Sequence, residues 1–182
     1  SILECPNRVK SLISKAKEYN MNALAITDNA TMYGALEFYQ KAKQAGIKPI
    51  IGCDLYICED MSIKQRWSHR LVLLSKSLTG YQNLIKLVSK AHTEGMYYKP
   101  RLDLSTLAAH SEDLIAISPG SRGPIAHFLQ QHNDEKALEV ATFLHQAFRE
   151  NFYLGIQRSG EPHEDLVEFG TIDIAKKLGS KI

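Results

Sequence analysis

Two kinds of hydrophobic pattern alternate along this chain, and the alternation limits the folds it can adopt. Residues 8–19 place Val9, Leu12 and Ala16 on one face of a helix, with lysines opposite. Residues 23–26 then form a short, continuous apolar run, which is typical of a buried strand. The same succession repeats to the end of the chain and predicts an α/β domain with a mostly parallel sheet. Periodicity alone leaves an open doubly wound sheet and a barrel as alternatives.

Local signals give each element its expected bounds. The predicted helices are 8–19, 33–45, 80–94, 104–110, 125–131, 134–150 and 164–178, and the predicted strands are 23–26, 48–51 continued by 54–57, 70–75, 114–118 and 152–156. Thr79 and Asn133 are expected to cap the helices that follow them, and Gly46 and Gly179 to end helices. Residues 95–101, which are rich in aromatic side chains, are expected to form a loop.

The overall composition excludes several classes of protein. Of the 182 residues 44% are hydrophobic and 23% charged, and the net charge is only +2, which argues against a stand-alone DNA-binding domain. No apolar run approaches the ~20 residues that span a bilayer, so no membrane association is expected. The cysteines, Cys5, Cys53 and Cys58, lack the spacing of a zinc site. They predict free thiols in a reducing, cytoplasmic compartment.

Polar residues follow several of the predicted strands, where a parallel sheet gathers its functional groups. Asp28 follows the first strand and Asp54 lies at the break in the second, so together they could hold a divalent cation through carboxylate oxygens. The ordinary alternative is that Asp28 caps the next helix and Asp54 lies in a turn, and spacing alone favours it. Residues 120–123 could likewise form a small anion-binding nest, although a plain turn accounts for them better.

The other candidate groups carry weaker signals. His69 precedes a strand and could be a metal ligand, but a lone histidine there is more often structural. The remaining histidines lack the close pairing of a zinc site. Tyr97, Tyr98, Lys99 and Arg101 combine aromatic rings with cations and could stack on single-stranded nucleic acid. A packed loop is the simpler interpretation of that cluster.

Five segments of the chain carry a resemblance to a known family. They are ALAITD at 23–28, YGALEFY at 33–39, AGIKPIIGCD at 45–54, RLVLL at 70–74 and TGYQNL at 79–84. Together they resemble the PHP (polymerase and histidinol phosphatase) domain of bacterial replicative polymerase alpha subunits. The resemblance runs over residues 1–182 as a single domain. It implies a distorted (β/α) barrel, truncated here at both ends, and a fragment that lacks the palm, fingers and thumb of the polymerase.

Active members of that family hold a cluster of metal ions at the carboxyl ends of the strands, and the resemblance implies that this chain has lost it. Glu4 falls where an aspartate ligand is usual, Asn29 where a histidine is usual and Asp54 where a glutamate is usual. His69 matches a histidine position, and Gly120 falls where a cysteine or histidine is expected. The amide of Asn29 and the absence of a side chain at Gly120 cannot complete a catalytic metal site. We therefore expect vestigial ligand positions, no catalytic residue and no cofactor in this stretch.

The resemblance also implies binding partners for this chain and a role that differs from that of the rest of the polymerase subunit. The expected role is a structural scaffold, with a docking surface for the proofreading exonuclease (epsilon-type) subunit and contacts to the remainder of the alpha subunit. Nucleotide transfer with magnesium, and most DNA contacts, would belong to a palm domain downstream. The alternatives are an active metal-dependent phosphoesterase or 3′–5′ exonuclease of the PHP family, or a stand-alone PHP phosphatase.

Overall fold

The computed structural model describes residues 7–66 and 68–182, and it contains the expected succession of helices and strands. Its elements are α1 (Val9–Glu18), β1 (Ala23–Asn29), α2 (Ala35–Gln44), β2 (Lys48–Cys58), β3 (His69–Ser75), α3 (Leu78–Thr93), β4 (Met96–Tyr97), β5 (Lys99–Asp103), α4 (Leu104–Ala108), β6 (Leu114–Ser118), α5 (Pro124–Gln130), α6 (Asp134–Phe148), β7 (Phe152–Leu154) and α7 (Glu164–Leu178). No helix among the described residues is both long and apolar enough to cross a membrane.

Several helix ends lie where local chemistry predicted them. Asn133 caps α6 by accepting a hydrogen bond from the backbone N–H of Lys136, at 3.1 Å. Gly179 ends α7 with a left-handed φ of 64°, a conformation that glycine adopts without steric cost. Thr79, by contrast, is not a cap. Ser77 caps α3 two residues earlier because its hydroxyl accepts from the N–H of Gly80 at 3.2 Å.

Residues 95–101 are not the loop that their composition suggested. Met96–Tyr97 and Lys99–Asp103 form an antiparallel hairpin, and its second strand pairs with the end of β2. The hairpin is too short for alternating hydrophobicity to reveal it. β2 itself is one strand of 11 residues, continuous through Gly52. A side chain at Gly52 would meet the carbonyl oxygen of Leu73 at 2.5 Å, so this glycine allows close strand packing.

The sheet is mixed, so the expectation of a mostly parallel sheet is wrong. Within the described part of the chain it has 7 strands in the order β4-β5-β2-β3-β6-β7, with β1 also paired to β2. β1–β2, β2–β5 and β6–β7 are parallel, whereas β3 runs antiparallel to both β2 and β6. The described part of the β2–β3 connection contains no helix to carry the chain back across the sheet, so β3 returns alongside β2 in the opposite direction.

Alternation along β2 separates the core from the candidate site. Cys53, Leu55 and Ile57 are at most 2% exposed and belong to the main core cluster, which α3, α5, α6 and α7 help to form. Asp54 and Tyr56 therefore lie on the other face of the sheet. β1 is not the fully buried strand that its sequence suggested, since Ala25 and Thr27 are exposed.

Candidate functional site

The candidate site lies where β1 and β2 bring polar side chains to one face of the sheet. Asn29 is paired in register with Asp54, so the two side chains point to the same side. Tyr56 follows Asp54 on that face, and β3 places Arg70 directly opposite Tyr56. The antiparallel register therefore sets Arg70 diagonally across from Asp54, within reach of a long side chain.

Arg70 holds the carboxylate of Asp54 with two hydrogen bonds. Its Nε donates to Oδ1 at 2.9 Å, and its Nη2 donates to Oδ2 at 2.5 Å. Nη1 of the same guanidinium donates to the hydroxyl oxygen of Tyr56 at 2.9 Å, and Asn29 Nδ2 donates to that oxygen at 3.0 Å. The ion pair is largely shielded, with side-chain exposures of 17% for Arg70 and 22% for Asp54. One connected polar network thus joins three strands.

This network bears directly on the metal cluster that the family resemblance implies. Both carboxylate oxygens of Asp54 already accept from a cation, and the amide nitrogen of Asn29 donates to Tyr56. Across residues 7–66 and 68–182, no group of three histidine, cysteine, aspartate or glutamate side chains is placed to hold a metal ion. The described side chains therefore do not fit a metal cluster. Glu4 lies outside the described residues.

Asp28 and Asp54 do not share a cation, because β1 and β2 turn them to opposite faces. Asp28 is paired with Cys53, whose side chain lies in the core, and it accepts a hydrogen bond from the N–H of Gly34 at 3.1 Å. Asp28 thus supports the start of α2. Asp54 lies within β2 rather than in the turn that spacing favoured.

Cys53 and Cys58 are buried free thiols. The Cys53 thiol can donate to the carbonyl oxygens of Asp28 and Thr31, at 3.3 and 3.4 Å. Burial, followed by the charges of Asp54 and Asp28, raises the pKa of Cys53 to about 12. Neither thiolate chemistry nor metal ligation is expected of a thiol held protonated in this way.

His69 does not join Asn29 and Asp54. Its register partner is Ile57, a core residue, so its ring lies on the opposite face from Asp54. There it packs on His127 with ring centroids 4.3 Å apart, and on Phe128 at 6.3 Å. Burial, and then the neighbouring His127, lower the pKa of His69 to about 4. The ring is therefore neutral at pH 7.

Gly120 lies in the loop after β6, and its surroundings leave no space for a side chain. A Cβ there would lie 2.8 Å from the backbone nitrogen of Gln157 and 3.0 Å from the carbonyl oxygen of Gly155. A cysteine or histidine at this position would require the segment after β7 to move. The backbone, and not only the residue type, is thus incompatible with a ligand at Gly120.

A basic cleft adjoins the Asp54–Arg70 network. It is an open depression of about 470 Å³ lined by Tyr56, Arg66, Ser68, His69, Arg70, Lys99, Ser121, Arg122, Gly123, His127 and Gln130. None of these residues is acidic. Sequence analysis named residues 120–123 and Lys99 as separate candidates and favoured simpler interpretations of both. It did not join them in one cleft, because the cations come from separate segments that only the fold brings together.

The aromatic and basic cluster at 97–101 divides into two parts. Tyr98 is 68% exposed, and the guanidinium of Arg66 lies over its ring at 4.2 Å. Arg101 is only 2% exposed and donates to backbone carbonyl oxygens, so it is not available to a nucleic acid. The packed interpretation is therefore correct for Arg101, whereas Tyr98 remains accessible.

Comparisons with known proteins agree with one another. Residues 1–159 match the PHP domain family. The chain is 36% identical to the DNA polymerase III subunit alpha of Borreliella burgdorferi over 185 residues, and 38% identical to that of Treponema pallidum over 187 residues. Each alignment covers 98% of this chain but 16% of the relative, so the chain spans about one-sixth of their length.

A solved structure shares the fold at low sequence identity. It is the crystal structure of a candidate metal-dependent phosphoesterase from Bifidobacterium adolescentis, with a TM-score of 0.56 and 12% identity. The match covers 96% of this chain and 79% of that one. This likeness confirms the predicted fold class, a distorted (β/α) barrel, and it carries no information on activity.

Proposed function

The chain belongs to the family of PHP domains found in DNA polymerase III alpha subunits, and we propose that it serves chromosomal replication as a non-catalytic domain of such a subunit. In this proposal it is the N-terminal scaffold of a cytoplasmic polymerase and a docking surface for the proofreading exonuclease subunit. Polymerisation, its magnesium ions and most DNA contacts belong to the remainder of the alpha subunit.

The loss of metal chemistry rests on one observation, the guanidinium of Arg70 on both carboxylate oxygens of Asp54. A divalent cation at Asp54 would have to displace that guanidinium and then sit beside its positive charge. Asn29 and Gly120 offer no imidazole or thiolate to compensate. The arrangement supports a scaffold rather than a metal-dependent phosphoesterase.

Elemental analysis of the protein purified without chelator is the direct test. We expect fewer than about 0.1 zinc, manganese or iron ions per chain, because a site short of ligands does not retain metal through purification. The Arg70→Met variant, which frees the Asp54 carboxylate, serves as the comparison. We expect it to remain metal-free as well, since Asp54 would still lack partner ligands.

Roughly two or more tightly held ions per wild-type chain, with hydrolysis of a phosphodiester that a chelator abolishes, would instead establish an active PHP phosphoesterase or exonuclease. Metal uptake by Arg70→Met alone would mean that the guanidinium is what blocks an otherwise sufficient site.

The docking role is supported by an apolar groove at the surface of the domain. It measures about 460 Å³ and lies between α2 and α3, over the start of β2. Leu36 and Leu78, which line it, are 69% and 70% exposed, and Tyr39 is 47% exposed. Clustered exposed apolar side chains are unusual outside interaction sites. The relatives are named as subunits, which fits a surface made for another chain.

Charge placed in this groove should weaken association with the exonuclease subunit. We expect the double variant Leu36→Asp/Leu78→Asp to bind that subunit at least about tenfold more weakly, because anchor residues at an interface commonly contribute that much. Calorimetric titration with the purified exonuclease subunit measures the change. Phe169→Asp on α7 is the matched control, because its ring is 74% exposed and lies outside the groove. Equal affinity of the two variants would place the docking surface elsewhere.

A further inference from the structure

The basic cleft has an unbalanced charge that the scaffold role does not explain. Its lining includes the cations Arg66, Arg70, Lys99 and Arg122, and no acidic residue. Asp54 offsets the charge of Arg70. Among the described residues, no carboxylate forms a salt bridge with Arg66, Lys99 or Arg122. About three positive charges therefore face one depression on a chain whose net charge is only +2.

Aromatic rings hold three of these cations, Arg66, Arg70 and Lys99, in place without neutralising them. The ammonium of Lys99 lies over the Tyr56 ring at 4.5 Å, and the guanidinium of Arg70 lies over the same ring at 4.7 Å. Arg66 lies over Tyr98 at 4.2 Å and donates to its hydroxyl oxygen at 2.6 Å. A cation held over a ring keeps its full charge and its remaining donors. Like charges gathered in this way repel one another, and a bound anion would relieve that repulsion.

The loop that carries Arg122 is fixed to the sheet. The backbone N–H of Arg70 donates to the carbonyl oxygen of Arg122 at 2.8 Å, and the N–H of Gly123 donates to the carbonyl oxygen of Pro119 at 3.2 Å. The Ser121 hydroxyl donates to Gln157 at 2.8 Å. The exposed side chain of Arg122 therefore projects from a braced backbone at the rim of the cleft.

From this arrangement we propose that the cleft binds a phosphate group through Arg66, Lys99 and Arg122, without a metal ion. Guanidinium groups match phosphate oxygens with paired donors, and the ammonium adds a point charge. Inorganic phosphate and the phosphodiester of single-stranded nucleic acid share this chemistry. A volume of about 470 Å³ accommodates more than a single phosphate ion. Tyr98, beside Arg66 and 68% exposed, offers a ring on which a base can stack.

The test uses the complete 182-residue chain with two probes. A fluorescein-labelled oligothymidylate of about twelve nucleotides reports binding by anisotropy, and inorganic phosphate is titrated both as a competitor and alone by calorimetry. The variants are Lys99→Gln, Arg122→Gln and the charge-conserving Arg122→Lys. Lys17→Gln is the matched control, because it removes one exposed charge from the last turn of α1. That turn precedes the amino end of β1, whereas Asn29 lies at the carboxyl end of the same strand.

We expect each glutamine variant to bind the oligonucleotide about three- to tenfold more weakly and to lower the slope of log K against log salt by about 0.7. Arg122→Lys should retain more affinity than Arg122→Gln, and Lys17→Gln should bind as the wild type does. Melting temperatures that differ by less than about 2 °C establish that the variants are folded, as expected for exposed side chains.

Competition by inorganic phosphate, with the same dependence on Lys99 and Arg122, supports the cleft as a phosphate site. An oligonucleotide that binds well above the affinity of inorganic phosphate identifies nucleic acid as the source, and equal affinity identifies the free anion. Undetectable binding of both probes at low salt would overturn the proposal. So would an equal loss in Lys17→Gln, since that would reflect overall charge alone. The outcome is independent of metal content and of exonuclease docking.

Discussion

Replacing Arg101 with methionine is expected to lower the free energy of unfolding by about 3 kcal/mol. The Arg101 side chain is 2% exposed, and its guanidinium donates to four backbone carbonyl oxygens at 2.9–3.1 Å, those of Met61, Ile63, Gln65 and Gly95. Methionine fills a similar length but donates no hydrogen bond, so all four guanidinium contacts are lost. The carbonyl oxygens of Ile63 and Gly95 still accept from the backbone N–H groups of Gln65 and Arg101. Urea denaturation followed by circular dichroism measures the change, with linear extrapolation to water.

Two further variants define what the Arg101 result means. Arg101→Lys keeps the positive charge but not the planar set of guanidinium donors. Its free energy of unfolding should therefore lie between those of the wild type and Arg101→Met. Arg8→Met removes an exposed guanidinium and should change stability by no more than roughly 0.5 kcal/mol. If Arg101→Met were no more harmful than Arg8→Met, the carbonyl groups would be hydrating freely. Arg101 would then not be what holds segment 61–65.

The position of Arg101 illustrates what sequence could and could not predict. Its neighbours are aromatic and basic, so the local pattern fits either a packed loop or a nucleic-acid surface. The structure distinguishes these two interpretations, because segment 61–65 wraps over the Arg101 side chain and buries it. That path depends on contacts across 36 to 40 residues of chain, and no local pattern encodes such contacts.

Features set by neighbouring residues were predicted well. α7 spans Glu164–Leu178 as its periodicity and Gly179 indicated, and Asn133 caps α6. Sheet direction was predicted poorly. No helix was predicted between the strands at 54–57 and 70–75, and a connection without a helix favours an antiparallel pair, but the overall alternation of helices and strands was given more weight. The caps depend on one or two hydrogen bonds within four residues. Strand order depends on closing long loops.

The candidate site shows the same division. Strand-end positions and family resemblance led to Asn29 and Asp54, and the structure places them side by side. Neither signal pointed to Arg70, because its pairing with Asp54 follows from the antiparallel register of β2 and β3. The basic cleft as a whole was not predicted either, since segments 66–70, 99 and 121–123 are far apart in the sequence, and the signals at Lys99 and 120–123 were interpreted separately. The net charge of the whole chain does not reveal such a local cluster of cations.

Replacing Arg70 with methionine is expected to cost about 3 kcal/mol, because the Asp54 carboxylate would stay largely buried without its partner. The side chain of Asp54 is 22% exposed, and both of its oxygens accept from Arg70. The hydroxyl of Tyr56 would also lose a donor. Urea denaturation again provides the measurement, and the double variant Asp54→Leu/Arg70→Met is the decisive partner experiment. Removing both charges should recover most of the loss, since a buried pair often adds little over apolar packing.

Arg158→Met is the matched control for the Arg70 cycle. Arg158 makes the same paired contact, to Glu168 at 2.8 and 2.5 Å, but its side chain is 75% exposed. The Glu168 side chain is 18% exposed, but its partner lies in water, and water can occupy the position that the guanidinium leaves. The loss should therefore be smaller than at Arg70. Equal losses at Arg70 and Arg158 would mean that Asp54 reaches solvent once its partner is gone. A double variant no better than Arg70→Met would instead show that the loss comes from the contacts of Arg70 with Tyr56, and that Asp54 contributes through packing rather than through its charge.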